Sequence, residues 1–164
     1  MEQRALDELY GRYGQELFVY LLSLSRSPQL AEDLVQETFL KALLSLPEGH
    51  PNLRAWLYMV GRNLWLNHCR RAKREEPLPD APLPGGEDPL TGILKDERRR
   101  LLYAALDRLD GRKREILLLQ YFGGMNQREI AAVLHLSVEN VRVLAHRGRK
   151  ELRAWMEENG YDLS

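Results

Sequence analysis

Residues 126–153 read NQREIAAVLHLSVENVRVLAHRGRKELR and contain the signals for two helices joined by a tight turn. Asn126 followed by Glu129 is a capping-box-like start for a helix over residues 127–134, and Ser137 can cap a second helix shortly afterwards. Alanine at position 131 suits a close crossing of the two helices. His135 stands where such turns usually carry a left-handed glycine, a conformation that histidine tolerates better than branched residues. Together, these capping, crossing and turn signals predict a helix-turn-helix.

The second of these helices carries a set of side chains that lie largely off its apolar face, and all of them except Val143 are polar or charged. They are Glu139, Asn140, Arg142, Val143, His146, Arg147, Arg149 and Lys150. Alone, such a run is more typical of a solvated surface helix. Behind a helix-turn-helix it predicts contact with the major groove of duplex DNA, with the N-terminal turns of the helix reaching base edges.

Composition predicts an all-α protein that performs no covalent chemistry. Leucine occurs 32 times, whereas valine, isoleucine and threonine together occur 12 times, which favours helices over strands. Cys69 is the only cysteine, and no Cys or His cluster has the spacing of a zinc site, so we expect neither a metal nor another cofactor. His68 and Cys69 lack a partner carboxylate at ligand spacing, so an enzyme is not expected.

Net charge is zero but unevenly distributed, because residues 1–50 are acidic while residues 51–76 carry six bases and two acids. Weak DNA binding by the free chain follows, since only local patches can neutralise phosphates. The apolar run over residues 17–24 is too short to cross a bilayer, and the first residues lack a signal-peptide core. We therefore expect a cytoplasmic protein without membrane insertion.

Apolar spacing predicts two small helical domains. Leu6 to Leu24, Leu30 to Leu43 and Leu53 to Leu64 each mark one helix face, with Ser27-Pro28 starting the second helix. Residues 75–89 hold five of the eight prolines and predict a linker between domains at 1–74 and 90–164. The second domain is predicted to open with a helix from Asp88-Pro89 to Leu109, followed by a helix over 116–122 that Asp110 caps and Gly123-Gly124 stops.

Two further faces of the first domain point to partners. On the third helix, Leu53, Trp56, Leu57, Val60 and Leu64 are assigned to the core, while Arg54, Tyr58, Arg62 and Trp65 alternate cations with aromatics beside Asn63 and Asn67. That second face suits unstacked bases, although Tyr58 and Trp65 are balanced between base stacking and the core. On the second helix, Asp33, Gln36, Glu37, Leu40 and Leu44 form an acidic stripe that runs into exposed leucines and suggests a protein partner.

The whole chain resembles a family at this point. AEDLVQETF over residues 31–39, AWLY over 55–58, GRN over 61–63 and the helix-turn-helix are similar to the extracytoplasmic-function sigma factors of bacterial RNA polymerase. The resemblance runs from about residue 9 to residue 153, and the proline-rich segment takes the place of the family's variable linker. It implies a promoter-specificity subunit that binds core RNA polymerase and promoter DNA.

The resemblance also implies roles for individual residues. The residues implied for docking on the clamp helices of the largest polymerase subunit are Asp33, Gln36, Glu37 and Leu40. The residues implied for binding the minus-ten element as a melted strand are Asn52, Arg54, Tyr58, Arg62, Asn63 and Asn67. Among them, Asn63 would lie in a base pocket, and residues 47–54 would form the specificity loop. The minus-thirty-five duplex falls to Asn140, Arg142, Val143, His146 and Arg147, with Arg149 and Lys150 on phosphates.

Two questions stay open from the sequence. Asn67, Asn140 and Leu144 depart from the family's commonest residues, so the promoter preference of relatives does not transfer. The alternative class is a helix-turn-helix repressor or activator that acts without polymerase, against which the basic aromatic face of the third helix argues. Exposed faces on both domains leave room for an anti-sigma factor.

Overall fold

In the computed structural model of the chain, residues 3–45, 52–75 and 97–159 are described. Every regular element within these ranges is an α-helix, which confirms the predicted all-α class. The chain divides into two units, Met1–Thr91 (unit 1) and Gly92–Ser164 (unit 2). Apart from Glu75, the predicted linker over residues 75–89 lies outside the described residues.

The described part of unit 1 forms three helices, α1 (Gln3–Ser25), α2 (Pro28–Ser45) and α3 (Leu53–Glu75), each of which packs on the other two. The turn between α1 and α2 places Arg26 in the left-handed region at φ 59°. The predicted start of α2 is confirmed, because Ser27 Oγ accepts a hydrogen bond from the Leu30 amide at 3.2 Å.

The core of unit 1 corrects the predicted orientation of α3. Leu57, Tyr58 and Gly61 are the buried residues of α3, whereas Leu53, Trp56, Val60 and Leu64 are only half-buried. Gly61 explains why α3 buries a different face from the predicted one. A Cβ atom at this position would lie 3.3 Å from Leu17 Cδ1 and 3.4 Å from both Leu21 Cδ1 and Thr38 Oγ1. The prediction was wrong because it counted only large apolar side chains, while α3 also packs closely on α1 and α2 at Gly61, which has no side chain.

Residues 97–159 of unit 2 form four helices, α4 (Glu97–Leu106), α5 (Gly111–Tyr121), α6 (Gln127–Leu134) and α7 (Val138–Glu158). The predicted helix start at Asp88-Pro89 lies outside the described residues, and α4 ends at Leu106 rather than at Leu109. The predicted cap of α5 is confirmed, because Asp110 Oδ1 accepts from the Lys113 amide at 3.0 Å. Gly124, at φ 59°, follows the end of α5, as the predicted stop requires.

The helix-turn-helix is confirmed in detail. Asn126 and Glu129 form a reciprocal capping box, with hydrogen bonds of 2.9 and 3.1 Å between side chain and amide. His135 takes the left-handed conformation at φ 56° and ψ 44°, and Ser137 Oγ accepts from the Asn140 amide at 3.1 Å. Ala131 is buried together with the apolar side chains Ile130, Leu134 and Val141, so α6 and α7 cross closely.

Candidate nucleic-acid and polymerase interfaces

Contacts with α5 hold the second helix of the motif, α7, from its buried side. A Cβ atom at Gly148 would lie 3.1 Å from Leu117 Cδ1, so α5 and α7 approach closely there. Lys113 Nζ lies 2.6 Å from Glu151 Oε1 and 3.2 Å from Asp110 Oδ2, and these carboxylates raise the pKa of the lysine. Side-chain packing and the ion pair therefore both hold α7 against α5.

The opposite side of α7 is free for a ligand in the described structure. Five of the seven residues predicted to meet the minus-thirty-five element are exposed, namely Asn140, Arg142, His146, Arg147 and Lys150. Val143 is half-buried. Arg149 is also half-buried and donates a hydrogen bond from Nη1 to Gln120 Oε1 at 3.3 Å. Arg149 therefore points toward α5, away from the exposed set.

Arg142 is oriented by its neighbour Glu139. Arg142 Nε donates to Glu139 Oε2 at 3.2 Å, and Nη2 donates to Oε1 of the same carboxylate. This pairing lowers the pKa of Glu139 and raises the pKa of Arg142. Glu139 was predicted only as one of the polar residues of the helix, without a role of its own, although its spacing of three residues from Arg142 is the usual signal for such a pair.

The acidic stripe of α2 has the predicted exposure. Asp33, Gln36 and Glu37 are exposed, and Leu40 and Leu44 keep 53% and 75% of their surface accessible. Ala31, Leu34, Val35, Thr38 and Phe39 bury the other side of the same helix. Two accessible leucines beside carboxylates form a surface suited to a protein partner.

Five of the six residues predicted for the minus-ten element divide into two groups. Arg62, Asn63 and Asn67 lie on α3 with half-buried or exposed side chains, and Asn67 Oδ1 accepts from Arg70 at 3.4 Å. Asn52 and Arg54 are instead engaged within unit 1. Asn52 Oδ1 caps α3 by accepting from the Ala55 amide at 3.0 Å, and Arg54 Nε lies 3.1 Å from Glu16 Oε1. Residues 47–51 of the predicted specificity loop lie outside the described residues.

Tyr58 corrects the predicted stacking surface. Its side chain is 0% exposed, and its ring centroid lies 5.1 Å from that of Tyr20, inside unit 1. The prediction that Tyr58 meets a base is therefore wrong. With Gly61 on the buried face of α3, Tyr58 also lies on the side of the helix that faces the core. Burial, with Glu16 nearby, raises the pKa of Tyr58 far above the ordinary range.

Trp65 remains accessible, unlike Tyr58. It lines a groove of about 660 Å³ formed by the end of α1, the start of α2 and the end of α3. The other lining residues are Leu24, Ser25, Leu30, His68, Cys69, Ala72 and Lys73. Partial burial raises the pKa of the Cys69 thiol.

Within the described ranges, no group of three or more His, Cys, Asp or Glu side chains is placed to hold a metal ion. None of the described helices combines the length and apolar character needed to span a membrane.

Comparison with known families divides the chain at the same place as the fold. Residues 9–75, which include most of α1 and all of α2 and α3, match Sigma-70 region 2. Residues 99–152, from α4 into α7, match Sigma-70, region 4. The two matches together cover well over half of the chain and define the class as the sigma-70 type of transcription initiation factor.

Full-length relatives narrow this class. The ECF RNA polymerase sigma factor SigM of Bacillus subtilis is 30% identical over 160 residues, which cover 91% of this chain and 93% of SigM. Among solved structures, the sigma factor RpoE of Bartonella quintana, in complex with the anti-sigma factor NepR, superposes with a TM-score of 0.68 at 25% identity, covering 94% of this chain and 98% of RpoE. CnrH of Cupriavidus metallidurans, in complex with the cytosolic domain of CnrY, gives 0.65 at 30% identity, covering 97% and 92%.

The chain belongs to the extracytoplasmic-function sigma factors. It is a sigma factor that binds core RNA polymerase and directs transcription initiation to promoters, and its family is one of transcription regulators. Of the two classes weighed from the sequence, these matches support the sigma factor and not the repressor that acts without polymerase.

Proposed function

We propose that this sigma factor divides promoter recognition between its units. Unit 2 reads the minus-thirty-five element as duplex DNA, and unit 1 holds the minus-ten element as a melted strand. The observation that carries the proposal is the helix-turn-helix of unit 2, in which caps at both helix starts fix α6 and α7 while Asn140, Arg142, His146 and Arg147 remain exposed. An α-helix presented in this way fits the major groove.

Within unit 2, Arg142 is the residue that we assign to a base edge. Its guanidinium is already aligned by Glu139, and bidentate contact of arginine with a guanine is the commonest specific contact in protein–DNA complexes. Asn140, Val143, His146 and Arg147 complete the base-facing set, and Lys150 contacts the phosphate backbone. Arg149 joins the phosphate contacts only after releasing its hydrogen bond to Gln120.

Within unit 1, the proposed minus-ten surface is the accessible part of α3. Arg62 and Asn67 flank Asn63, which we assign to a pocket for an unstacked base. Trp65 is not part of this surface, because it lies on the side of α3 that carries Gly61, where it lines the groove with α1 and α2. Tyr58 is left out of this surface because it is fully buried.

The stripe of α2 is the proposed docking surface for the clamp helices of the largest polymerase subunit. Asp33, Gln36 and Glu37 supply charge and hydrogen bonding, and Leu40, continuing into Leu44, supplies exposed apolar surface. Because the chain has a net charge of zero, its own affinity for DNA is expected to be low. Polymerase raises the effective concentration of both units at a promoter.

Regulation and location complete the proposal. RpoE is described in complex with an anti-sigma factor, and CnrH with the cytosolic domain of CnrY. We propose that this chain too is controlled by an anti-sigma factor, that it acts in the cytoplasm, and that it works by binding alone, without catalysing a covalent reaction.

Two substitutions on different units test the division of labour. Arg142→Ala should weaken minus-thirty-five binding about tenfold or more, because one bidentate base contact contributes about 1–3 kcal/mol. It should leave core polymerase binding unchanged. Asp33→Lys should lower core polymerase affinity and leave the promoter preference of the remaining holoenzyme intact. Run-off transcription and core-binding titrations measure the two activities.

Matched controls exist on the same helices. Arg153→Ala removes an exposed arginine of α7 about three turns beyond Arg142, and Glu32→Lys reverses an exposed carboxylate next to Asp33 that faces a different side of α2. Both controls should behave like the natural chain. Equal loss of both activities in both test variants would contradict the assignment of separate roles to the two units.

A further inference from the structure

A cluster of polar side chains ties α1 to the first turn of α3. Glu16 on α1 forms an ion pair with Arg54 on α3, with 3.1 Å between Oε1 and Nε. The Arg54 guanidinium also lies 5.2 Å from the centroid of the Tyr13 ring, in cation–π range. The buried Tyr58 hydroxyl lies near both charges and has no hydrogen-bond partner among the described residues.

This tie is not an obvious source of stability. Both charges are partly withdrawn from water, with 24% of the Glu16 side chain and 35% of the Arg54 side chain exposed. Burial is the main influence on Glu16 and raises its pKa in spite of Arg54. Pairs of this kind are often no more stabilising than apolar side chains of the same volume, whereas in some proteins they specify one arrangement of the groups around them. A positional role is therefore the better explanation.

The position of the tie points to what it controls. Arg54 lies in the first turn of α3, two residues after Asn52, which caps the helix. Arg62 and Asn63 lie two turns or more further along the same helix. The cap orders the start of α3 locally, and the ion pair joins this first turn to α1, while the close approach at Gly61 sets the packing further along the helix. The cap and the ion pair therefore help to determine where the side chains of α3 meet DNA.

We infer that Glu16 is a positioning residue for recognition of the minus-ten strand, acting through Arg54. The inference rests on the proposed function of α3. In this arrangement Arg54 is an internal anchor instead of the direct DNA contact that the sequence analysis assigned to it. In catalysis, misplacing a group by about 1 Å can cost about a hundredfold in rate. Binding groups on α3 depend on position in the same way, so loss of the anchor should be measurable.

A double-mutant cycle tests the inference. The variants are Glu16→Gln, Arg54→Gln and the two combined, each assembled with core polymerase. The probe is a labelled single strand carrying the minus-ten segment of a promoter mapped with the natural holoenzyme. Each single variant should bind this strand on the order of tenfold more weakly, and the combined variant should be no worse than either, because both remove the same tie. Affinity for core polymerase and for minus-thirty-five duplex should stay unchanged.

Arg12→Gln is the matched control, since Arg12 also lies over the Tyr13 ring, at 5.7 Å, but both residues belong to α1, so this contact does not join two helices. It should bind the strand like the natural chain. All variants are compared at a temperature at which circular dichroism shows them folded.

Several results would overturn the inference. Unchanged strand binding by Glu16→Gln excludes a positioning role, and multiplied losses in the combined variant make Arg54 an independent DNA contact. Equal losses of strand, duplex and core binding indicate general destabilisation. Failure of the natural holoenzyme to bind the strand counts against the proposed function itself.

Discussion

Replacing Gly61 by alanine should destabilise unit 1, although alanine is the better helix former by about 1 kcal/mol. The new methyl group would lie 3.3 Å from Leu17 Cδ1 and 3.4 Å from Leu21 Cδ1 and Thr38 Oγ1. All three neighbours are fully buried, and Thr38 is held by its hydrogen bond to the Leu34 carbonyl at 2.7 Å. Overpacking of this kind costs about 1–3 kcal/mol, which leaves a net loss of about 1 kcal/mol.

Gly11 supplies a control within the same unit. It lies in the interior of α1, is exposed, and has no atom within 4 Å of the position that a Cβ would take. Gly11→Ala should therefore show the helix preference alone and stabilise unit 1 by up to about 1 kcal/mol. The two substitutions make the same chemical change and are expected to act in opposite directions.

Thermal denaturation followed by circular dichroism measures both effects. For a domain of this size, 1 kcal/mol moves the melting temperature by about 4–8 °C, so the two variants should differ clearly. If Gly61→Ala raises the melting temperature as Gly11→Ala does, α3 does not approach α1 as closely as described. The assignment of Leu57, Tyr58 and Gly61 to the buried face of α3 would then have to be abandoned.

Three further predictions concern single side chains. Tyr58→Phe should leave unit 1 as stable or slightly more stable, because it removes a buried hydroxyl that has no partner within the described ranges, and holoenzyme titrations should find minus-ten strand binding unchanged; weakened binding would restore the stacking role. Asp110→Ala should destabilise unit 2 by about 1 kcal/mol in urea denaturation, while Asp110→Asn keeps the cap. The hydrogen bond from the Lys113 amide lowers the pKa of Asp110, so this carboxylate's extra stabilisation is complete above the ordinary aspartate range and is lost as pH falls through the lowered value. Asp110→Asn should abolish this acid dependence of the stability of unit 2. If the dependence persists in this variant, it belongs to another titratable side chain. Cys69 is exposed, but partial desolvation beside the groove raises the pKa of its thiol, so the pH midpoint of its reaction with a thiol reagent should lie above that of free cysteine, and a midpoint at or below that value would contradict the desolvation.

The sequence by itself determined the features that depend on neighbours along the chain. The caps at Ser27, Asp110, Asn126 and Ser137 each join a side chain to an amide three residues ahead, so reading the local sequence was enough to place them. The left-handed turn at His135 is equally local. The exposed stripe of α2 followed from helical periodicity, because its other face carries the apolar residues that must be buried.

Only the tertiary structure decided which side of α3 faces inward and which charges meet. Gly61 gives no signal in a hydrophobic pattern, yet the close approach that it allows turns Tyr58 into the core and leaves Trp65 in an open groove. Glu16 and Arg54 lie on separate helices, so no local spacing could pair them. The physical reason is that side-chain patterns fix which groups prefer burial, whereas the crossing of helices fixes which of them obtain it.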